Sequence, residues 1–128
     1  RSKYFQGSLK GYPKDITTIQ SQSLNPNKDT LLIFEGFTDF LSFFTVKNLQ
    51  TPKDLKYDVI VLNSLSFIPK LIEEILPNSD YKELHCYLDT DNAGRKAINT
   101  LLLELDDIKV VDKSNLYAKS GGDLNDIL

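Results

Sequence analysis

The chain has no methionine and no tryptophan, and among its 128 residues only one cysteine (Cys86) and one histidine (His85). A lone cysteine excludes an internal disulfide. With a single histidine beside it, no zinc site can be assembled from Cys and His alone. Oxygen donors remain, and they suit hard cations such as Mg²⁺ or Mn²⁺. No apolar run approaches the roughly 20 residues that a membrane span needs, and no signal peptide is visible, so a cytoplasmic location is expected. The absence of methionine leads us to expect a domain cut from a longer protein. No P-loop pattern and no G-x-G-x-x-G is present.

Basic charge is also scarce. The net charge is −3, which does not describe a strongly basic nucleic-acid binder. The distribution is uneven. Residues 1–28 hold Arg1, Lys3, Lys10, Lys14 and Lys28 against Asp15, a net +4; the other 100 residues hold ten basic and seventeen acidic side chains, a net −7. A solvated surface accounts for this. A sharper reading is a basic arm, with Lys10 and Lys14, touching phosphates beside an acidic body that holds metal.

What is present is a 41% hydrophobic, 26% charged composition, ordinary for one globular domain. At this length about two thirds of the unfolded surface can be buried without staples. Residues 1–28, with Gly7, Gly11, Pro13 and Pro26, read as irregular, apart from a short strand or turn of helix near Ile16–Ile19. From Thr30 the pattern changes. Leu31–Phe34 is an apolar run, the mark of a strand buried on both faces, and Phe37, Phe40, Leu41 and Phe44 follow at helical spacing. Val59–Leu62 is a second strand. A helix follows it, with Ser66 as cap, Pro69 in the first turn, and Ile68, Leu71, Ile72, Ile75 and Leu76 on one face; Pro77-Asn78 stops it. Leu84–Leu88 is a third strand, Ala93, Ala97, Leu101 and Leu105 mark a third helix, and Ile108–Val111 is a fourth strand. The tail from Asp123 reads as the start of a short helix. This alternation predicts an α/β fold, a Rossmann-like three-layer sandwich around a four-stranded, mainly parallel sheet.

In such sheets function collects at the carboxyl ends of the strands, where strand order reverses. There the first strand ends in Glu35 and the third in Asp89-Thr90-Asp91. If those strands are neighbours, three carboxylates share one rim. Crowded carboxylates repel, and one takes up a proton unless a cation compensates. Taken singly, each acid has a plainer reading: Asp91 or Asn92 caps the third helix, and Asp89 only ends a strand. Asp39, one turn into the first helix, either joins a metal shell or favours the helix dipole. Arg95, in the first turn of the third helix, either clamps a phosphate oxygen or is solvated. After the pair Gly121-Gly122, Asp123 either caps a helix or, with Asp126, supplies more metal-binding oxygen. His85 and Cys86 read as core or partner-facing residues.

These segments resemble the Toprim domain, shared by bacterial primases, topoisomerases and some nucleases. Phe34-Glu35-Gly36-Phe37-Thr38-Asp39 matches the family's E-G-x-x-D segment, and Leu88-Asp89-Thr90-Asp91-Asn92-Ala93-Gly94 its D-x-D-x-A-G segment. Gly122-Asp123-Leu124-Asn125-Asp126 is similar to the primase-type D-P-D segment, with Leu124 and Asn125 where proline and aspartate are usual. Order and spacing agree across 29–128, so residues 1–28 are expected to end a preceding subdomain. The nearest variety resembles primase-like proteins of bacterial mobile elements, in which a segment similar to 10–17 precedes the domain and a zinc-binding module often lies upstream.

The resemblance implies that Glu35 is a general acid/base or metal ligand in nucleotidyl transfer. It implies that Asp89 and Asp91 hold Mg²⁺ or Mn²⁺, and that Asp39 and Asp123, with Asp126 as a substitute for Asn125, complete a second metal shell. DNA and nucleotides are the implied partners. A Toprim-type nuclease or strand-cleavage domain and a non-catalytic docking module are the rivals. A phosphatase with Asp89 as nucleophile is disfavoured, because Ala93 stands where such enzymes carry Thr or Val.

Overall fold

In the computed structural model the described residues are 5–7, as backbone, and 16–114. Six strands form one sheet: β1 (Phe5–Gly7), β2 (Thr17–Ile19), β3 (Asn27–Phe34), β4 (Tyr57–Val61), β5 (Glu83–Tyr87) and β6 (Lys109–Asp112), in the order β1-β2-β4-β3-β5-β6. The four expected strands are all there and run parallel. The sheet is nevertheless wider than four: β2 pairs antiparallel with β4, and β1 with β2. The short strand or turn of helix expected near Ile16–Ile19 is strand β2; β1 was not expected from the sequence.

Alternation along the strands sorts the core into two layers. Leu31 and Ile33 of β3, with Leu84 and Cys86 of β5, face one side. Leu32, Phe34 and Tyr87 face the other. Helix α1 (Phe37–Val46) covers the second side; the helical segment after β4 and helix α3 (Asn92–Glu104) cover the first. The result is the three-layer arrangement. The connection from β3 to β4 and those from β4 to β5 and β5 to β6 run in opposite directions across the sheet. Right-handed crossovers then put their helices on opposite faces, as found. The direction reverses between β3 and β5.

Three helical details depart from expectation. On α1, Leu41 is 48% exposed, while Phe43 is buried in its place. The cause is an aromatic platform: Phe34 and Tyr87 stack at 4.7 Å between ring centroids, and Phe40 and Phe43, three apart on the helix, both pack edgewise or tilted onto it. After β4 there is no single regular helix but a 3₁₀ turn (Leu65–Phe67), one α-turn α2 (Ile68–Lys70), a π-helical stretch (Leu71–Ile75) and a 3₁₀ turn (Leu76–Asn78). Pro77 has no N–H to return to the Glu73 carbonyl, so the α pattern cannot continue through it. The cap is Ser64 rather than Ser66, its hydroxyl accepting from Ser66 N–H at 3.2 Å. On α3, Ala93 is exposed and Gly94, Ala97, Ile98 and Leu101 face inward.

At the opposite end of the sheet from the strand termini of interest, Asp58 is buried in β4. It accepts from Ser21 N–H (2.8 Å), Lys28 Nζ (3.0 Å) and the Tyr81 hydroxyl (2.6 Å). Burial pushes its carboxyl up, but these three donors together outweigh that, and the net direction is below the ordinary 3.8. A depressed carboxylate contributes stability that is complete above its unfolded value and is lost as the pH falls through the folded one. Asp58→Ala is therefore expected to cost about 2–3 kcal/mol at neutral pH. In urea melts the gap to wild type should narrow below about pH 4. A gap independent of pH would show that packing alone is lost.

Candidate metal and phosphate site

The strand ends at the β3/β5 reversal carry the acids. The register places Phe34 opposite Tyr87, so Glu35 and Asp89 leave adjacent parallel strands almost level. They meet: the Asp89 N–H donates to Glu35 Oε1 at 3.2 Å. Glu35 is half-buried, and its carboxyl is pushed above its ordinary 4.5. Burial is the largest cause. The Asp89 N–H works against it, while the charges of Asp89, Asp91 and Asp39 each push further up. The repulsion expected of acids gathered on one rim is thus present.

Each neighbouring acid also has a structural task. Asp39 is buried near the start of α1, and its Oδ2 accepts from Gly36 N–H at 3.2 Å, which fixes the turn directly after Glu35. Asp91 caps α3, its Oδ1 accepting from Gly94 N–H at 2.8 Å. Gly94 is held closer still. A Cβ built on it would stand 1.9 Å from the Asp89 carbonyl oxygen and 2.8 Å from its carbon. The first turn of α3 therefore presses on the backbone end of β5, and only glycine fits.

The remaining strand end is shaped by Asn63, which has φ of 66°, the left-handed region that favours Gly and Asn. Its N–H donates to the Glu35 carbonyl at 2.9 Å, and its side-chain amide to Thr17 Oγ1 at 3.0 Å. This explains how the turn after β4 manages without glycine.

Glu35, Asp39, Asp89 and Asp91 are thus brought to one rim. Arg95 points elsewhere: its guanidinium pairs with Asp112 of β6 and with Ser114. Burial raises the Asp112 carboxyl, but Arg95 and Ser114 outweigh it and hold it low. Lys10, Lys14, Asp123 and Asp126 lie outside the described residues. Cys86 is fully buried and its thiol is pushed up to about 12, chiefly by burial, so it is a packing residue. His85 pairs with Glu83 at 3.0 Å. The sequence reading missed the Asp58 network and the Arg95–Asp112 pair. Asp58 did leave a signal, an acid inside the apolar run Tyr57–Val61; Asp112 left none.

The donor set fits a hard divalent cation, since every acid is an oxygen ligand and Glu35 already feels three negative neighbours. Among the described residues, however, no three His, Cys, Asp or Glu side chains close on one point as a finished cage. Charge proximity and ligand geometry disagree here. A site with few protein ligands would leave the remaining positions of a hard cation such as Mg²⁺ to water or phosphate.

Fold and rim together define an α/β protein with an acidic strand edge. A family model described as Toprim-like matches residues 32–128, and the chain belongs to that family. Toprim domains are modules of metal-dependent nucleic-acid enzymes and typically bind divalent metal ions. The chain is also 26% identical over 129 residues to "Probable polyketide synthase 6" of Dictyostelium discoideum, a match that covers 94% of this chain and 4% of that protein. No helix among the described residues is long and apolar enough to cross a membrane.

Two consequences are measurable. Gly94→Ala should cost about 2–4 kcal/mol in urea denaturation, because α3 must lift off β5; a loss under about 0.5 kcal/mol would mean the contact gives easily. For Glu35 the raised carboxyl binds its proton more tightly folded than unfolded. Its favourable contribution is present at low pH and is lost as the pH rises through the folded value. Glu35→Gln should therefore melt about 2–4 °C above wild type near pH 7.5, with the difference vanishing below about pH 4. A variant less stable than wild type at both pH values would remove the repulsion from the account.

Proposed function

We propose that the chain is the Toprim catalytic core of a DNA primase-like protein that joins nucleotides on a DNA template. The hydrogen bond from Asp89 N–H to Glu35 at the strand-order reversal carries this reading, because it joins the family's two acidic segments in one place. Asp89 and Asp91 would hold Mg²⁺ or Mn²⁺, with Glu35 as a further ligand or as the group that takes the proton from an attacking 3′-hydroxyl oxygen. The cation would supply the charge that the acids lack and polarise phosphate oxygens. Asp39 would act at one remove, by fixing the Gly36 turn that aims Glu35, and Asp91 would fix the α3 terminus beside the phosphates. A second metal shell involving Asp123 and Asp126, a template-contacting role for Lys10 and Lys14, residues 1–28 as the end of a preceding subdomain, and a mobile-element setting with an upstream zinc-binding module belong to the same proposal.

The test is thermal denaturation with Mg²⁺ or Mn²⁺, alongside extension of a primed or bare single-stranded DNA with nucleotides. Wild type should gain stability in proportion to the logarithm of metal concentration above Kd, amounting to about 2.7 kcal/mol at 100 times Kd. The Asp89→Asn/Asp91→Asn variant should gain nothing. Metal-dependent cleavage of plain DNA with no nucleotide incorporation would favour the nuclease reading. No metal effect in wild type would leave the docking-module reading.

A further inference from the structure

We propose that the groove between the Leu65–Phe67 turn and α3 is a track for a single nucleic-acid strand leaving the acidic rim, with Lys96 as its phosphate contact. The inference rests on the nucleic-acid reading above and gives it a direction. The groove is an open cleft of about 410 Å³. Leu65, Ile68, Pro69 and Ala97 give it an apolar lining, and Ser66 and Lys96 add polar groups. Its upper end is Ala93, two residues beyond Asp91, and its other wall begins just past β4, where Leu62 N–H bonds the Phe34 carbonyl and Asn63 N–H the Glu35 carbonyl. Both walls therefore start at the carboxylate rim.

Two cations, Arg95 and Lys96, sit side by side in the first turns of α3. Arg95 is engaged by Asp112 and Ser114 at the β6 edge. Lys96, the next residue, is exposed, points into the groove and forms no ion pair among the described residues. In a chain with net charge −3, an ammonium with no ion pair among the described residues, set beside an apolar cleft, suits an anion that carries an apolar group. A sugar-phosphate chain with bases has that chemistry. A free phosphate would use Lys96 but gain nothing from the apolar lining.

The experiment measures fluorescence anisotropy of a labelled oligothymidylate of about ten nucleotides with the whole chain, with Mn²⁺-induced thermal shift recorded on the same samples. Lys96→Glu should weaken binding about 10-fold at low salt and lower the salt slope by about one; Lys96→Arg should keep near wild-type affinity. Lys53→Glu, which changes net charge equally on an exposed turn far along the chain, should weaken binding less than 2-fold. Equal losses in Lys96→Glu and Lys53→Glu, or no loss in either, with the Mn²⁺ shift intact, would overturn the track and leave the metal site standing. Absence of both oligonucleotide binding and the Mn²⁺ shift in wild type would overturn both.

Discussion

The rim depends on a contact with no room for a methyl group. Gly94 lies so close to the Asp89 carbonyl that any side chain would enter its electron cloud, and this sets how near α3 can come to the end of β5. Once α3 is there, Asp91 is at the right distance to accept from Gly94 N–H, and the Asp89 N–H is turned toward the neighbouring strand, where Glu35 accepts it. The spacing D-x-D-x-A-G is then one mechanical unit. The second Asp holds the glycine, the glycine admits the helix, and the backbone N–H of the first Asp ties two strand ends together.

The same fold shows what an acid needs to be comfortable. Asp58 is more buried than Glu35, yet its carboxyl is held below the ordinary value, because a backbone N–H, a hydroxyl and an ammonium all donate to it. Glu35 has one backbone donor and three negative neighbours, and its carboxyl moves the other way. Burial raises both, so the difference in direction lies in the partners. One end of the sheet has its acids satisfied and serves stability. The other leaves them crowded, a cost that structural residues rarely carry and functional sites often do.

The parallel strands were legible because strands buried on both faces write apolar runs: Leu31–Phe34 and Val59–Leu62 are unbroken, and Leu84–Leu88 is interrupted only by His85. Glu35 and Asp89 were legible because they end such runs. Less was written for β1 and β2, which are three residues long and too short to show a period. On α1, Leu41 and Phe43 flank the same apolar stripe on opposite sides, so spacing alone could not say which is buried; the stacked pair Phe34 and Tyr87, distant in sequence, selects Phe43 over Leu41. The partnership of Arg95 with Asp112 depends on β6 lying beside the start of α3, a tertiary fact that no local pattern encodes.

Asn63 shows how the antiparallel edge takes part in the rim. In the left-handed region, its backbone N–H reaches the Glu35 carbonyl while its side chain reaches across to Thr17. Glycine would allow the same turn but would have no amide to offer β2. With asparagine, the exits of β3 and β4 and the start of β2 are joined through one residue. Any shift of β2 is therefore felt at the peptide that carries the Glu35 side chain. Thr17 lies outside the segment that matches the family model, which begins at residue 32, yet by this route it helps to hold the acid on which the site's electrostatics turn.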